Sequence, residues 1–190
     1  MEGIGTSTII IIIVVGVLFI IACYGIATYN KLVNSRNKVD NQFSQIDIQL
    51  KRRSDLIPNL VETVKGYAKH EKSTFTEVVE ARNKALSAKG VNEKVEAENE
   101  LSGVLSKLLA LTEAYPELKA NENFLSLQND LKDTEDKITY ARQFYNDSAM
   151  NFNNLVEMFP SNIIAKMCKF MRYEFFAASD NEKETPKVKF

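Results

Sequence analysis

The sequence predicts an all-α protein: one N-terminal transmembrane helix followed by an up-and-down antiparallel four-helix bundle of long heptad helices. Three observations predict it. An aliphatic stretch near the start carries no charged residue from Gly3 to Asn30. After Asn30, apolar residues recur at alternating steps of three and four. Only seven Gly and four Pro punctuate 190 residues, too few for the frequent turns of a strand architecture. The expected organisation is a segment 1–29 containing the membrane helix, a bundle over 30–160, an amphipathic C-terminal segment over 161–176 and a disordered polar tail over 177–190.

The anchor is densest from Ile9 to Ala22. A bilayer core takes about 20 apolar residues of helix. β-Branched residues are poor helix formers in water, but in lipid each backbone group must be bonded internally, and helix does that. Tyr24 and Tyr29 suit the interface. Ile20-Ile21-Ala22-Cys23 loosely fits a lipoprotein cleavage box, yet Glu2 and no Lys or Arg precedes the apolar run, unlike an export signal. Lys31, Arg36 and Lys38 follow the helix, so the positive-inside bias puts the N-terminus outside and the domain in the cytoplasm.

The first bundle helix follows from Val39, Phe43, Ile46, Leu50, Arg53, Ile57, Leu60, Val64 and Tyr67, a heptad seam broken only by Arg53. Pro58 either kinks this helix or begins a new one capped by Asp55; the unbroken register favours a kink. Arg53 either pairs with an acid inside the bundle or lies at its edge with its stem packed. A second helix runs from Thr74 to Ala88, opened by a Thr74–Glu77 capping box and stopped by Gly90. Its apolar face is Phe75, Val78, Val79, Arg82 (stem only), Ala85 and Leu86. A third starts near Asn92, presents Val95, Leu101, Val104, Leu105, Leu108 and Leu109, and ends at Tyr115-Pro116. The fourth, capped by Asn121 and closed by Phe159-Pro160, steps through Phe124, Leu127, Leu131, Thr134, Ile138, Ala141, Tyr145, Ser148, Phe152, Leu155 and Phe159. A turn near His70 would return Ser161–Phe176 to the membrane; one continuous rod to Ala88 would carry it away.

At these residues the chain resembles the LemA family. The resemblance rests on Tyr29-Asn30 through Leu50, on Arg52-Arg53-Ser54-Asp55-Leu56-Ile57-Pro58-Asn59-Leu60-Val61, and on Gly66-Tyr67, His70-Glu71 and Ala81-Arg82. It continues through Tyr115-Pro116-Glu117-Leu118-Lys119-Ala120, Phe124, Leu127-Gln128, Glu135, Ala141-Arg142, Tyr145-Asn146 and Phe159-Pro160-Ser161-Asn162. Two departures fall near the C-terminus: Phe152-Asn153 stands where a second Tyr-Asn is usual, and Cys168-Lys169-Phe170 where a Gly-Phe pair is common. The resemblance implies a bacterial cell-membrane protein with one span and a cytoplasmic helical domain, but no settled activity. A magnetosome-associated branch implies membrane organisation; frequent neighbourhood with a membrane metalloprotease implies envelope quality control.

The residues themselves offer little chemistry. Charges nearly cancel, with 24 Lys and Arg against 25 Asp and Glu, so nucleic-acid binding is not expected. One histidine, His70, cannot supply the paired Glu-x-x-His motifs of a metal-bridging bundle, and Cys23 and Cys168 make neither a zinc set nor a disulfide framework. No catalytic residue, metal, cofactor or small-molecule substrate is expected. Two surfaces remain. Lys166, Lys169 and Arg172 lie opposite Ile163, Ile164, Met167, Met171 and Phe175 on a helical wheel, so the segment, with Phe170, reads as a membrane-surface or partner contact; alternatively it covers the bundle end. Arg52, Arg53 and Asp55 form a charged cluster that is either a partner surface or a solvated face. The expected function is a scaffold or adaptor that binds protein partners, self-associates or organises the bilayer; the alternative is an accessory subunit of a membrane enzyme such as an envelope protease.

Overall fold

A computed structural model describes residues 2–176, with side chains from residue 5 onward. The expected tail, 177–190, lies outside the described residues. Among them every regular element is helical: α1 (Glu2–Lys65), α2 (Lys72–Ser87), α3 (Gly90–Leu111), α4 (Pro116–Lys119), α5 (Glu122–Glu157) and α6 (Ser161–Met167), with a 3₁₀ turn at Thr112–Ala114. The chain divides into two compact units. The first comprises Met1–Asn41 with Asp147–Tyr173, the second Gln42–Asn146 with the chain from Glu174 onward.

α1 is a single helix of 64 residues. It contains one stretch long and apolar enough to cross a membrane, whose Ile9–Ile21 side chains are all exposed. In the first unit a covered stripe then begins at half-buried Gly25 and passes through buried Thr28 and Leu32, half-buried Ser35 and buried Val39. The seam therefore starts earlier than Val39, with Leu32 set among positions too small or polar to register in an apolar pattern. Phe152, Ala149 and Ala165 complete that unit's buried apolar set.

The second unit is built on a core of Ile57, Leu60, Val61 and Val64 from α1, Phe75, Val78 and Ala81 from α2, Leu101, Leu105 and Leu108 from α3, Leu118 from α4, and Phe124 and Leu131 from α5. Removing one such side chain costs about 2–5 kcal/mol, because the cavity only partly collapses. Val79 and Leu86, expected on the covered face of α2, are exposed.

Pro58 lies inside α1. It has no N–H, so the carbonyl of Ser54, four residues before it, loses its helical partner. Ser54 is buried, so water cannot serve instead. Arg82 of α2 donates Nε–H to that carbonyl at 2.7 Å. Thus the helix continues through its proline, as the register suggested, and Arg82 contributes a hydrogen bond as well as its stem.

The helix boundaries decide one open alternative, in favour of the turn near His70, and correct several expectations. α1 ends at Lys65 and a turn precedes Lys72, so the first two helices are separate. The Thr74–Glu77 capping box does not form: Glu71 is the N-cap and makes no side-chain cap bond. Gly90 does not end α2 but opens α3, with φ of 73°; glycine adopts that left-handed backbone without the Cβ clash. α3 stops at Leu111, and Tyr115 is extended (φ −125°, ψ 83°) before Pro116 begins α4. Asn121 caps α5 as expected, its Oδ1 accepting the Phe124 N–H at 3.0 Å. α5 ends at Glu157, which leaves Phe159 outside the seam and 80 % exposed.

The Ser54–Arg82 contact predicts a specific non-additivity. Arg82→Ala should destabilise the chain by about 2 kcal/mol, since it strands a buried carbonyl. With Pro58→Ala, which restores an amide for that carbonyl, the same Arg82 change should cost measurably less. Chemical unfolding of the four variants of this cycle in detergent, followed by circular dichroism, measures the coupling.

Candidate functional site

The most concentrated chemistry in the second unit surrounds Arg53. Arg53 is 5 % exposed. Nη1 meets Glu98 Oε2 at 3.0 Å and Glu135 Oε2 at 3.0 Å, while Nη2 donates to Ser102 Oγ at 2.8 Å. α1 thus carries a cation on its seam because α3 and α5 bring carboxylates to it, and the pairing alternative for Arg53 is the one realised. Glu98 is also buried. Burial pushes its carboxyl above the ordinary carboxylate range, and the attraction of Arg53 and Arg142 only partly offsets this; Glu135 pushes it further up. Beside the network an open cavity of about 540 Å³ is lined by Arg53, Ser102, Leu105, Leu109, Gln128 and Glu135, among others. The guanidinium is committed to three protein groups, so its role in this geometry is to hold α1, α3 and α5 in register.

Arg53 does not share a surface with its expected companions. Arg52 and Asp55 are exposed. Arg52 reaches Asp130 and Asp133 at 3.9 and 3.8 Å, and Asp55 pairs with Lys51 at 3.2 Å. His70 is exposed in the turn after α1. Among the described residues no group of three or more His, Cys, Asp or Glu is placed to hold a metal ion.

In the first unit the C-terminal segment is not one amphipathic helix. α6 stops at Met167, and Lys169 takes a left-handed φ of 56°. The Phe170 N–H bonds the Ala165 carbonyl at 3.0 Å and the Lys169 N–H bonds the Lys166 carbonyl at 3.2 Å, the pattern of a Schellman cap. This is where the resemblance leads one to expect glycine, and the reason is now visible: the position needs a positive φ. Past the cap the chain is non-helical, so the expected single face does not exist. Phe170 turns inward, its ring 6.0 Å from Tyr29 and 6.1 Å from Phe152, with Arg36 over it at 5.6 Å. Lys166, Met167, Lys169, Met171 and Arg172 are exposed, and Arg172 pairs with Glu157 at 2.7 Å.

Two asparagines of α5 explain a repeat that the sequence displayed without a reason. In the first unit Asn153 Oδ1 accepts the Tyr173 N–H and its Nδ2 donates to the Tyr173 carbonyl, both at 2.9 Å. In the second unit Asn146 makes the same pair of bonds to Phe176, each 2.9 Å. The preceding aromatics add ring contacts: Phe152 to Tyr173 at 5.3 Å, and Tyr145 to Phe176 at 5.1 Å. Each aromatic–Asn dipeptide therefore clamps one residue of a non-helical segment by both its main chain and its ring. Phe175 stays exposed, while Phe176 is buried. Sequence reasoning noted both dipeptides but gave their asparagines no role, and it gave none to Glu98, Ser102, Glu135 or Arg142; polar residues on a helix carry no label for a partner many residues away.

Fold and site together define a membrane-associated protein, helical in every regular element among the described residues, with buried polar clamps that join its elements. The chain belongs to the LemA family, whose sequence model matches residues 42–190. It is similar to the protein LemA of Metamycoplasma hominis, with 27 % identity over 175 residues that cover 88 % of this chain and 80 % of that protein. It is also similar to the magnetosome protein MamQ of Magnetospirillum gryphiswaldense, 24 % identical over 84 % of this chain and 70 % of that one. A similar match, 24 % identical, links it to the magnetosome protein MamQ 2 of Paramagnetospirillum magneticum over 93 % and 76 % of the two chains.

The Arg53 network predicts both a mutational cost and a pH slope. Arg53→Ala leaves buried Glu98 uncompensated and should cost about 3–5 kcal/mol. The folded state holds the Glu98 proton to higher pH than the unfolded chain does. The group's contribution is therefore full below its unfolded pKa and is lost as pH rises through its raised folded value. Glu98→Gln should flatten that decline, and Arg53→Met should steepen it, in unfolding midpoints measured across the window just above the ordinary carboxylate range. Separately, Lys169→Gly should stabilise the chain by about 1 kcal/mol by removing the left-handed strain.

Proposed function

We propose that this chain is a membrane-tethered scaffold or adaptor, crossing the bilayer once with its N-terminus outside and its helical domain in the cytoplasm. In this reading α1, α2, α3 and α5 form an up-and-down antiparallel four-helix bundle with heptad packing. One observation carries it: the apolar stretch and the buried seam lie on one unbroken helix, α1. A tether of that kind keeps whatever binds the domain at the membrane. The exposed Arg52 and Asp55 offer charged contacts for protein partners. Two relatives bear the name magnetosome protein, which supports work in organising membrane.

The partners inferred are lipid and protein, including further copies of this chain, with no nucleic acid, small-molecule substrate, cofactor or catalytic turnover of its own. The second reading, an accessory subunit of a membrane enzyme such as an envelope protease, differs in what should co-purify.

Two measurements decide. Purification in mild detergent after crosslinking in cells should yield a homo-oligomer or a non-enzymatic membrane partner. A stoichiometric enzyme would replace the scaffold reading with the accessory one, and turnover by the isolated chain would defeat both. For topology, Ser179→Cys in a chain with Cys23 and Cys168 replaced by Ala should resist a membrane-impermeant thiol reagent in intact cells and react after permeabilisation. Labelling in intact cells would reverse the orientation.

A further inference from the structure

The end of α5 and α6 carry an apolar surface that nothing in the first unit covers. Phe159 is 80 % exposed, Met167 74 % and Met171 81 %, with Met158 and Ile163 also exposed. This is a dense patch for a surface of so few residues. Its depth relative to the bilayer follows from one contact. Ile164 Cδ1 lies 3.8 Å from the point where a Cβ on Gly25 would stand, so α6 lies against α1 at Gly25. Gly5 and Gly16, by contrast, have nothing within 4 Å, so Gly25 is where α6 docks.

Gly25 is six residues before Lys31, the first charged side chain after the apolar stretch. At about 1.5 Å per residue that places it about 9 Å toward the bilayer centre from Lys31. Counted the other way, Thr6 to Gly25 is 20 residues, or about 30 Å, the full hydrocarbon thickness. Both counts put α6 at the boundary between acyl chains and headgroups. At that depth exposed Phe and Met side chains face lipid, and the exposed Lys166 and Lys169 stand where lipid phosphates are.

We propose that residues 158–167, with Met171, form a second membrane contact that inserts its apolar side chains into the leaflet facing the domain, and that Lys166 and Lys169 select anionic phospholipid there. The occupant is lipid because α1 itself carries the patch to that depth; the span and the patch are continuous on one unit. The membrane-contact residues expected from the sequence are thereby revised. Phe170 is packed inward against Tyr29, and the exposed Phe159, which the heptad pattern placed in a core, joins the lipid face.

The chain contains no Trp, so a single substituted Trp reports its own surroundings. The full chain, reconstituted one copy per lipid nanodisc, is compared as Phe159→Trp, Met167→Trp and, as an exposed control on α1 of the same unit 13 residues beyond Gly25, Lys38→Trp. With lipids brominated near the top of the acyl chain, the first two should lose roughly half their emission while the control is unchanged. Absence of quenching at both positions would overturn the proposal. So would unquenched emission that shifts to the blue only in discs holding two copies, which would assign the patch to self-association. In the Phe159→Trp background, Lys166→Glu with Lys169→Glu should weaken quenching in discs containing phosphatidylglycerol and leave it unchanged in neutral phosphatidylcholine. Equal effects in both lipids would remove the anionic selectivity. Helix content by circular dichroism should match the parent throughout, so that loss of quenching cannot be ascribed to unfolding.

Discussion

The Ser54 carbonyl has no amide to bond with, because the residue four positions on is proline, and the Arg82 side chain supplies the missing donor from another helix. Everything built on α1 depends on such continuity. A helix that passes from apolar surroundings into a polar domain must keep its backbone bonded at each position, in lipid for lack of water and in the core for lack of space. Pro58 is the one residue in α1 that cannot meet this requirement by itself. Arg82 meets it at long range, so the integrity of the longest helix is coupled to the docking of α2.

A similar logic governs the charge on the seam. Arg53 occupies a position that the heptad repeat reserves for an apolar side chain, and a hydrophobic residue there would pack at less electrostatic risk. What the arginine adds is selectivity. It is satisfied only when Glu98 and Ser102 of α3 and Glu135 of α5 arrive together, and a slipped helix leaves a charge buried and unpaired. The raised pKa of Glu98 records the cost of that arrangement, since burial there outweighs attraction.

The aromatic–Asn pairs of α5 extend this pattern to main-chain recognition. An asparagine amide presents one donor and one acceptor in a plane, matching the N–H and C=O of one extended residue. Asn146 and Asn153 both use this match, on Phe176 and Tyr173 respectively. Seven residues apart, they lie on the same face of α5. The non-helical C-terminal residues thereby gain satisfied backbone groups without belonging to a sheet or a helix.

The sequence by itself determined the class of structure. An uncharged aliphatic run of sufficient length dictates a helix able to cross a membrane, and the repeat of three and four dictates long packed helices. Asn121 was legible as a cap because capping is local, and Leu60, Leu101 and Leu131 were legible as core because burial follows periodicity. Where Arg53, Arg82, Glu135 and the two asparagines direct their polar groups was decided by tertiary structure alone. Their partners lie on other elements, and no spacing rule along the chain encodes them. Tertiary structure also decided the C-terminus: the helical wheel there assumed a helix to Phe176, but the left-handed cap at Lys169 ends it at Met167. Phe159 became exposed for the same kind of reason. A heptad position is buried only while its helix lasts, and α5 ends two residues before it.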